Sequence, residues 1–199
     1  MKKGYGFTIL FMLVVSGVFT ALLAGANVFA RDSIEANQAL QKQRSILYAL
    51  HIGHDGTDAG IRQTYAAEVA EVDLAGMTVP AGRGADGLPT AYAFPFKGPG
   101  LWGTIEGYLG VAADGGMLTG IVFTSHSETP GLGGRIDEDW FKEQFRGIAV
   151  PAGGTLGLKD AAGVGDVDAI TGATSTSRSV MSLVNGTLSG AAVKGGIRK

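Results

Sequence analysis

Residues 102–125 read WGTIEGYLGVAADGGMLTGIVFTS. Two runs rich in strand formers, Trp102 to Ala112 and Met117 to Ser125, flank Asp114-Gly115-Gly116. Asp and Gly supply the positive-φ positions that a tight turn between antiparallel strands requires, so this stretch predicts a β-hairpin. Upstream, Tyr92, Phe94 and Phe96 alternate with Ala93, Pro95 and Lys97. That predicts an aromatic face on a short strand, held at a sheet edge by Pro95. Residues 82–89 (GRGADGLP) read as a surface loop, and Glu68 to Val79 predicts a strand weakened by Gly76. Downstream, residues 136–145 (IDEDWFKEQF) predict a short helix with acidic residues in its first turn. Val180, Leu183, Val184 and Leu188 then recur at helical spacing after a polar run, Thr174 to Ser177, that offers several N-cap candidates. There is no internal repeat. The expected fold is α+β: a curved, mostly antiparallel sheet with helices packed on it.

The N-terminus is of another kind. Tyr5 to Ala30 is 26 residues without a charge, long enough to cross a bilayer core of about 30 Å as a helix. Lys2 and Lys3 precede it, so the positive-inside tendency puts the N-terminus in the cytoplasm and everything after Arg31 on the far side of the cytoplasmic (inner) membrane. The competing reading is a cleaved signal peptide, since Val28-Phe29-Ala30 resembles a small-x-Ala cleavage site. Either places the domain outside the cytoplasm. Ile34 to Leu50, with apolar Ala39, Leu40, Ile46, Leu47 and Leu50, predicts a helix leaving the membrane and ending near residues 53–60. The expected organisation is a lipid-embedded transmembrane anchor over 1–30, a membrane-proximal helix and linker over 31–60, and an extracytoplasmic domain over 61–199.

Composition removes several chemistries. Among 199 residues there is no cysteine, which excludes disulfides, thiolate metal sites and Cys-ligated clusters. Three histidines without an HExxH pattern argue against a dedicated zinc or haem site. A formal charge of -2 and scattered Lys and Arg give no footprint for nucleic acid. His51-Ile52-Gly53-His54 spells a synthetase signature with no nucleotide-binding fold around it. Residues 98–103 fit GxGxxG but precede a strand and contain Pro99, so they read as a turn. Asn185-Gly186-Thr187 is a sequon inside a predicted helix. Trp102 and Trp140 are expected to pack in the core or near the membrane rather than relay electrons, and His126 to be a hydrogen-bonded structural side chain.

Two clusters remain, HSETPGLGG at 126–134 and DAITGATSTS at 168–177. The second sits where the last helix should begin. A helix N-terminus leaves N–H groups unpaired and carries partial positive charge, so a phosphate is stabilised there without Lys or Arg. Gly172 and Ala173 remove bulk where such a group would approach the backbone, and Thr174, Ser175, Thr176 and Ser177 supply hydroxyls. The first cluster combines Glu128, a proline and three glycines after a strand, a rigid turn whose N–H and C=O groups could meet a planar ligand edge. Taken singly, each also reads as an ordinary capped helix or strand-to-helix connection.

Asp168-Ala-Ile-Thr171-Gly172-Ala173-Thr174 resembles the D-x-x-[ST]-G-A-T signal at which a flavin transferase esterifies FMN phosphate onto the final Thr. SHSETPGLGG after a hairpin strand is similar to the partner motif of the same FMN-binding domain family, found in the C subunit of the sodium-translocating NADH:quinone reductase (Nqr) and the G subunit of the Rnf complex. LQKQRSILYAL after the anchor and KGPGLWGTIEGYLG at 97–110 look more like the Nqr protein than the Rnf one, although the chain is shorter than is usual for it. The resemblance implies FMN attached covalently to Thr174 and lying at the sheet rim. It implies phosphate contacts from Gly172, Ala173 and the helix start, including Ser175, Thr176 and Ser177. Ring contacts would come from the loop of Glu128, Thr129, Gly131, Leu132 and Gly133, with Asp168 and Thr171 as recognition and turn residues. It also implies electron transfer alongside other membrane subunits of the complex, with no catalytic acid–base residue and no metal. The alternatives are an Rnf-type protein or stand-alone flavin carrier, and a cofactor-free binding or assembly module.

Overall fold

A computed structural model describes residues 4–74, 76–151 and 155–195. The chain divides into two compact units, residues 1–41 and 42–199. Helix α1, Tyr5–Leu50, runs without a break through both expected N-terminal segments. Its most apolar 18-residue window has mean hydropathy 2.4 and none of it is buried. By length and composition this helix can cross a membrane. Phe7, Leu10, Phe11, Leu22 and Leu23 are each more than half exposed, which water would penalise and lipid would not.

The second unit contains the end of α1, then α2 (Asp58–Glu68), β1 (Val69–Leu74), β2 (Met77–Arg83), β3 (Pro89–Pro99), β4 (Thr104–Ala112) and β5 (Leu118–Ser125). A 3-10 turn (Gly133–Asp137), α3 (Asp139–Glu143) and α4 (Thr174–Gly195) follow. The five strands lie in chain order, each antiparallel to the next, so the α+β expectation holds. The β4–β5 hairpin closes as the sequence predicts: Gly115 takes φ +68° and the Gly116 N–H donates to Asp114 Oδ1 at 2.8 Å.

Local expectations are corrected in three places. The single strand over 68–79 is a hairpin, because Gly76 turns the chain at φ +86° and donates to Asp73 Oδ1 at 2.8 Å. The 82–89 loop shrinks to a tight turn closed by Gly84 N–H to Leu88 O at 2.8 Å. Pro95 sits on the third of five strands rather than an edge strand. It is tolerated because β2–β3 pairing extends only to Tyr92, leaving β3 paired at Pro95 to β4 alone. Helix α2 has no counterpart in the sequence reading. Its start is capped by Thr57, which accepts the Gly60 N–H, and Ile61 is its one buried residue.

The faces of the sheet differ. On one, Phe94, Leu109 and Ile121 align across β3, β4 and β5 in a core shared with Ile136, Phe141, Phe145, Val180 and Val184. On the other, Ala93, Gly110 and Gly120 align. A Cβ at Gly110 would lie 1.9 Å from Ala49 O, so the end of α1 beds directly on bare backbone. Thr119 Oγ1 donates to Ala49 O at 2.7 Å.

Candidate functional site

The start of α4 is built around Gly172, which takes φ +80°, a conformation that penalises any side chain. Ala173 N–H donates to Ile170 O at 2.9 Å and Ser177 N–H to Ala173 O at 3.0 Å. The buried Ser177 hydroxyl donates to Ala173 O at 3.1 Å and accepts the Ile170 N–H at 3.0 Å, locking residues 170–177 into one turn. Thr174 is the first helical residue and is exposed. The N–H groups of Thr174, Ser175 and Thr176 have no intrahelical acceptor. Thr174 borders an open groove of about 500 Å³, with Leu158, Lys159, Arg178 and Met181 among its walls. The Asp168 carboxylate pairs with Lys159 of that groove at 3.0 Å, and its N–H donates to Gln144 Oε1 at 2.7 Å. Thr171 and Ser175 are exposed.

The loop after β5 is closed by its own backbone. Thr129 O accepts N–H groups from Leu132 at 3.1 Å and Gly134 at 2.9 Å, with Gly131 at φ +74°. Leu132 therefore presents its side chain, 46% exposed, rather than its N–H. His126 is structural, as expected: Nδ1 accepts the Glu128 N–H at 3.2 Å, which leaves the proton on Nε2 facing Asp137 Oδ2 at 2.9 Å.

The two clusters meet. Glu128, 4% exposed, accepts the Thr176 hydroxyl on Oε2 at 2.7 Å. A Cβ at Gly133 would lie 2.6 Å from Thr176 Oγ1, and one at Gly172 would lie 3.3 Å from Leu132 Cδ2. Only glycine permits the first of these approaches. The side chains of Glu128, Thr176 and Ser177 are thus buried and engaged within the protein. They tie the loop after β5 to the start of α4.

Sequence reasoning missed one contribution. Glu128 Oε1 accepts the N–H groups of Leu101 at 2.8 Å and Trp102 at 3.0 Å, which brings the β3–β4 turn to the same carboxylate. Trp102 is 70% exposed and Trp140 42%, so neither packs in the core. A contact 26 residues apart leaves no periodic signal; the only local hint was the Gly-Leu-Trp-Gly turn itself.

Among known proteins, a family described as FMN-binding domain matches residues 100–189. The G subunit of the ion-translocating oxidoreductase complex of Cereibacter sphaeroides (strain ATCC 17029) is 34% identical over 173 residues, covering 84% of this chain and 75% of that protein. The C subunit of the Na(+)-translocating NADH-quinone reductase of Neisseria meningitidis serogroup A is 28% identical over 226 residues, covering 90% and 88%. The crystal structure of the corresponding C subunit from Parabacteroides distasonis superposes with a TM-score of 0.67 at 26% identity, over 81% of this chain and 94% of that one.

Proposed function

Because the chain belongs to the FMN-binding domain family that includes the C subunits of Na(+)-translocating NADH-quinone reductases and the G subunits of ion-translocating oxidoreductase complexes, we propose that it is a membrane-anchored electron-transfer subunit of such a complex, carrying FMN esterified to Thr174. The observation that carries this reading is the exposed Thr174 hydroxyl at the first position of α4, directly after Gly172 and Ala173. The residues fit the group. The first-turn N–H groups and helix dipole stabilise a phosphate, and the bare Gly172 leaves its approach open. Bound FMN supplies one- and two-electron transfer, and the protein orients and retains it.

Thr174 is the tether, Gly172, Ala173, Ser175, Thr176 and Ser177 form the turn around the phosphate, and Glu128, Thr129, Gly131, Leu132 and Gly133 form the wall for the ring. Asp168, held by Lys159 and Gln144, and Thr171 form the recognition turn read by a flavin transferase. A Thr hydroxyl is a weak nucleophile with no base beside it in the sequence, so attachment is performed in trans. We assign the anchor to residues 1–30, spanning the cytoplasmic membrane with Lys2 and Lys3 inside. Residues 31–60 are the membrane-proximal segment and residues 61–199 the extracytoplasmic domain, beside the other membrane subunits of the complex. The C subunit of the NADH-quinone reductase is the preferred assignment, since 90% of this chain matches one. The reading as a G subunit is favoured by its 34% identity, and the proteins that co-purify from the native host separate the two.

The test is the intact mass of denatured protein from that host against Thr174→Ala, with in-gel flavin fluorescence. A gain of about one FMN less water, lost in the variant, is expected. No gain in a host that flavinylates related proteins sinks the covalent reading.

A further inference from the structure

Thr174 and Arg178 stand four residues apart on α4 and line the same groove, together with Leu158 and Lys159. Residues at this spacing share one helix face, with about 6 Å between their Cβ atoms. In a helix each Cα–Cβ bond tilts toward the N-terminus, so a long side chain covers the turn that precedes it. Arg178 is exposed, and its reach therefore includes the Thr174 hydroxyl at the open end of α4.

The other charges of the groove are already engaged. Lys159 pairs with Asp168 at 3.0 Å. Asp160 Oδ1 accepts the N–H groups of Ala162 and Val164, each at 2.9 Å, and so closes its own turn. Among the described residues Arg178 enters no ion pair. The segment that brings Leu158 and Lys159 to the groove is itself tied to α4. Asn185 donates to Leu156 O at 2.9 Å and accepts the Leu156 N–H at 2.8 Å, which occupies the amide of the sequon on both sides. A cation without a carboxylate thus stands beside the exposed hydroxyl, in a groove whose walls are set.

Esterification of free FMN would release water into water and runs uphill, so the donor must carry the FMN phosphoryl group on an anhydride. The bond from Thr174 Oγ to phosphorus forms as the anhydride P–O bond breaks. The hydroxyl proton passes to the transferase, and the second phosphate departs with the electron pair. Negative charge meanwhile spreads over the phosphoryl oxygens, and neutralising it is most of what a protein contributes to such a step. We propose that Arg178 supplies that positive charge, so that the acceptor chain contributes a catalytic residue to its own flavinylation. This rests on FMN being tethered at Thr174. A planar guanidinium offers paired N–H donors to two phosphoryl oxygens and keeps its charge throughout, which a backbone amide at the helix start cannot do.

The experiment uses the full chain, made in a host that lacks the transferase and solubilised in detergent, with purified transferase and FAD as the anhydride donor. Initial rates of mass gain are recorded for wild type, Arg178→Gln, Arg178→Lys and Arg62→Gln. Arg178→Gln should lower kcat about a hundredfold, the loss that follows removal of one transition-state donor, with KM for the chain unchanged. Arg178→Lys should recover part of the rate. Arg62, exposed on α2, controls for net charge, and Arg62→Gln should match wild type. Arg178 is a surface side chain outside the ion pairs, so its variants keep the fold. Full kcat in Arg178→Gln, or a loss confined to KM, overturns the proposal and leaves the tether in place. A wild type that gains no mass removes the tether itself, and the role of Arg178 with it.

Discussion

Between Glu128 and Gly134 the backbone bonds to itself, with the Thr129 carbonyl taking two N–H groups, whereas the N–H groups of Thr174, Ser175 and Thr176 stay without an intrahelical acceptor. The loop is a finished surface, and its glycines are there to let other groups come close. The helix start is an unfinished one, and its glycine keeps an approach clear. In the proposed function the first is a wall and the second a receptor, and they are joined through Glu128 and Thr176.

The same substitution on each side should separate the roles. Gly133→Ala places a Cβ 2.6 Å from Thr176 Oγ1 and 2.7 Å from Glu128 Oε2, both buried and bonded to each other. Overpacking of this kind should cost about 2 kcal/mol, read as a lower unfolding temperature of the detergent-solubilised chain. Gly172→Ala meets only the Leu132 side chain at 3.3 Å, and its φ of +80° should cost about 1 kcal/mol. Flavin loading, measured by intact mass, should show the opposite order, with Gly172→Ala losing more of it. Equal losses of stability and loading in both variants would erase the distinction between wall and receptor.

A smaller effect should appear far from either half. Glu143 is held down to about 2 by its hydrogen bonds with Arg146 and then by the Tyr48 hydroxyl. Its folded pKa lies below the unfolded carboxylate value of roughly 4.3, so its stabilisation is full above that value. It fades as pH falls from there toward 2. The unfolding temperature of wild type should drop across that window more steeply than that of Glu143→Gln, with flavin mass unchanged in both. Parallel curves would remove the ion pair from the acid response.

The sheet was legible where neighbours in sequence make the decision. Asp114-Gly115-Gly116 sets a hairpin by local torsion alone, and the Gly172-Ala173-Thr174 step marks a helix start in the same way. Helix α2 was not legible, because a single buried residue, Ile61, leaves no apolar stripe to read. Nor was the role of Glu128. Its partners lie 26, 27 and 48 residues away, too far along the chain for any local pattern to announce them. Nor was the exposure of Trp102, whose backbone is held by one of the same long-range bonds.

The strip of Ala93, Gly110 and Gly120 beneath the end of α1 carries a consequence for biosynthesis. Ala49 is bonded to Thr119 across 70 residues of chain, so the end of α1 is made well before the strand it is seated on. Ile46, Leu47 and Ala49, fully covered in the finished domain, stay open to the surroundings until β4 and β5 have both been made. Long-range closures of this kind are slow, and an open apolar helix end is vulnerable in the interval. The nascent helix end has to wait for its own seat.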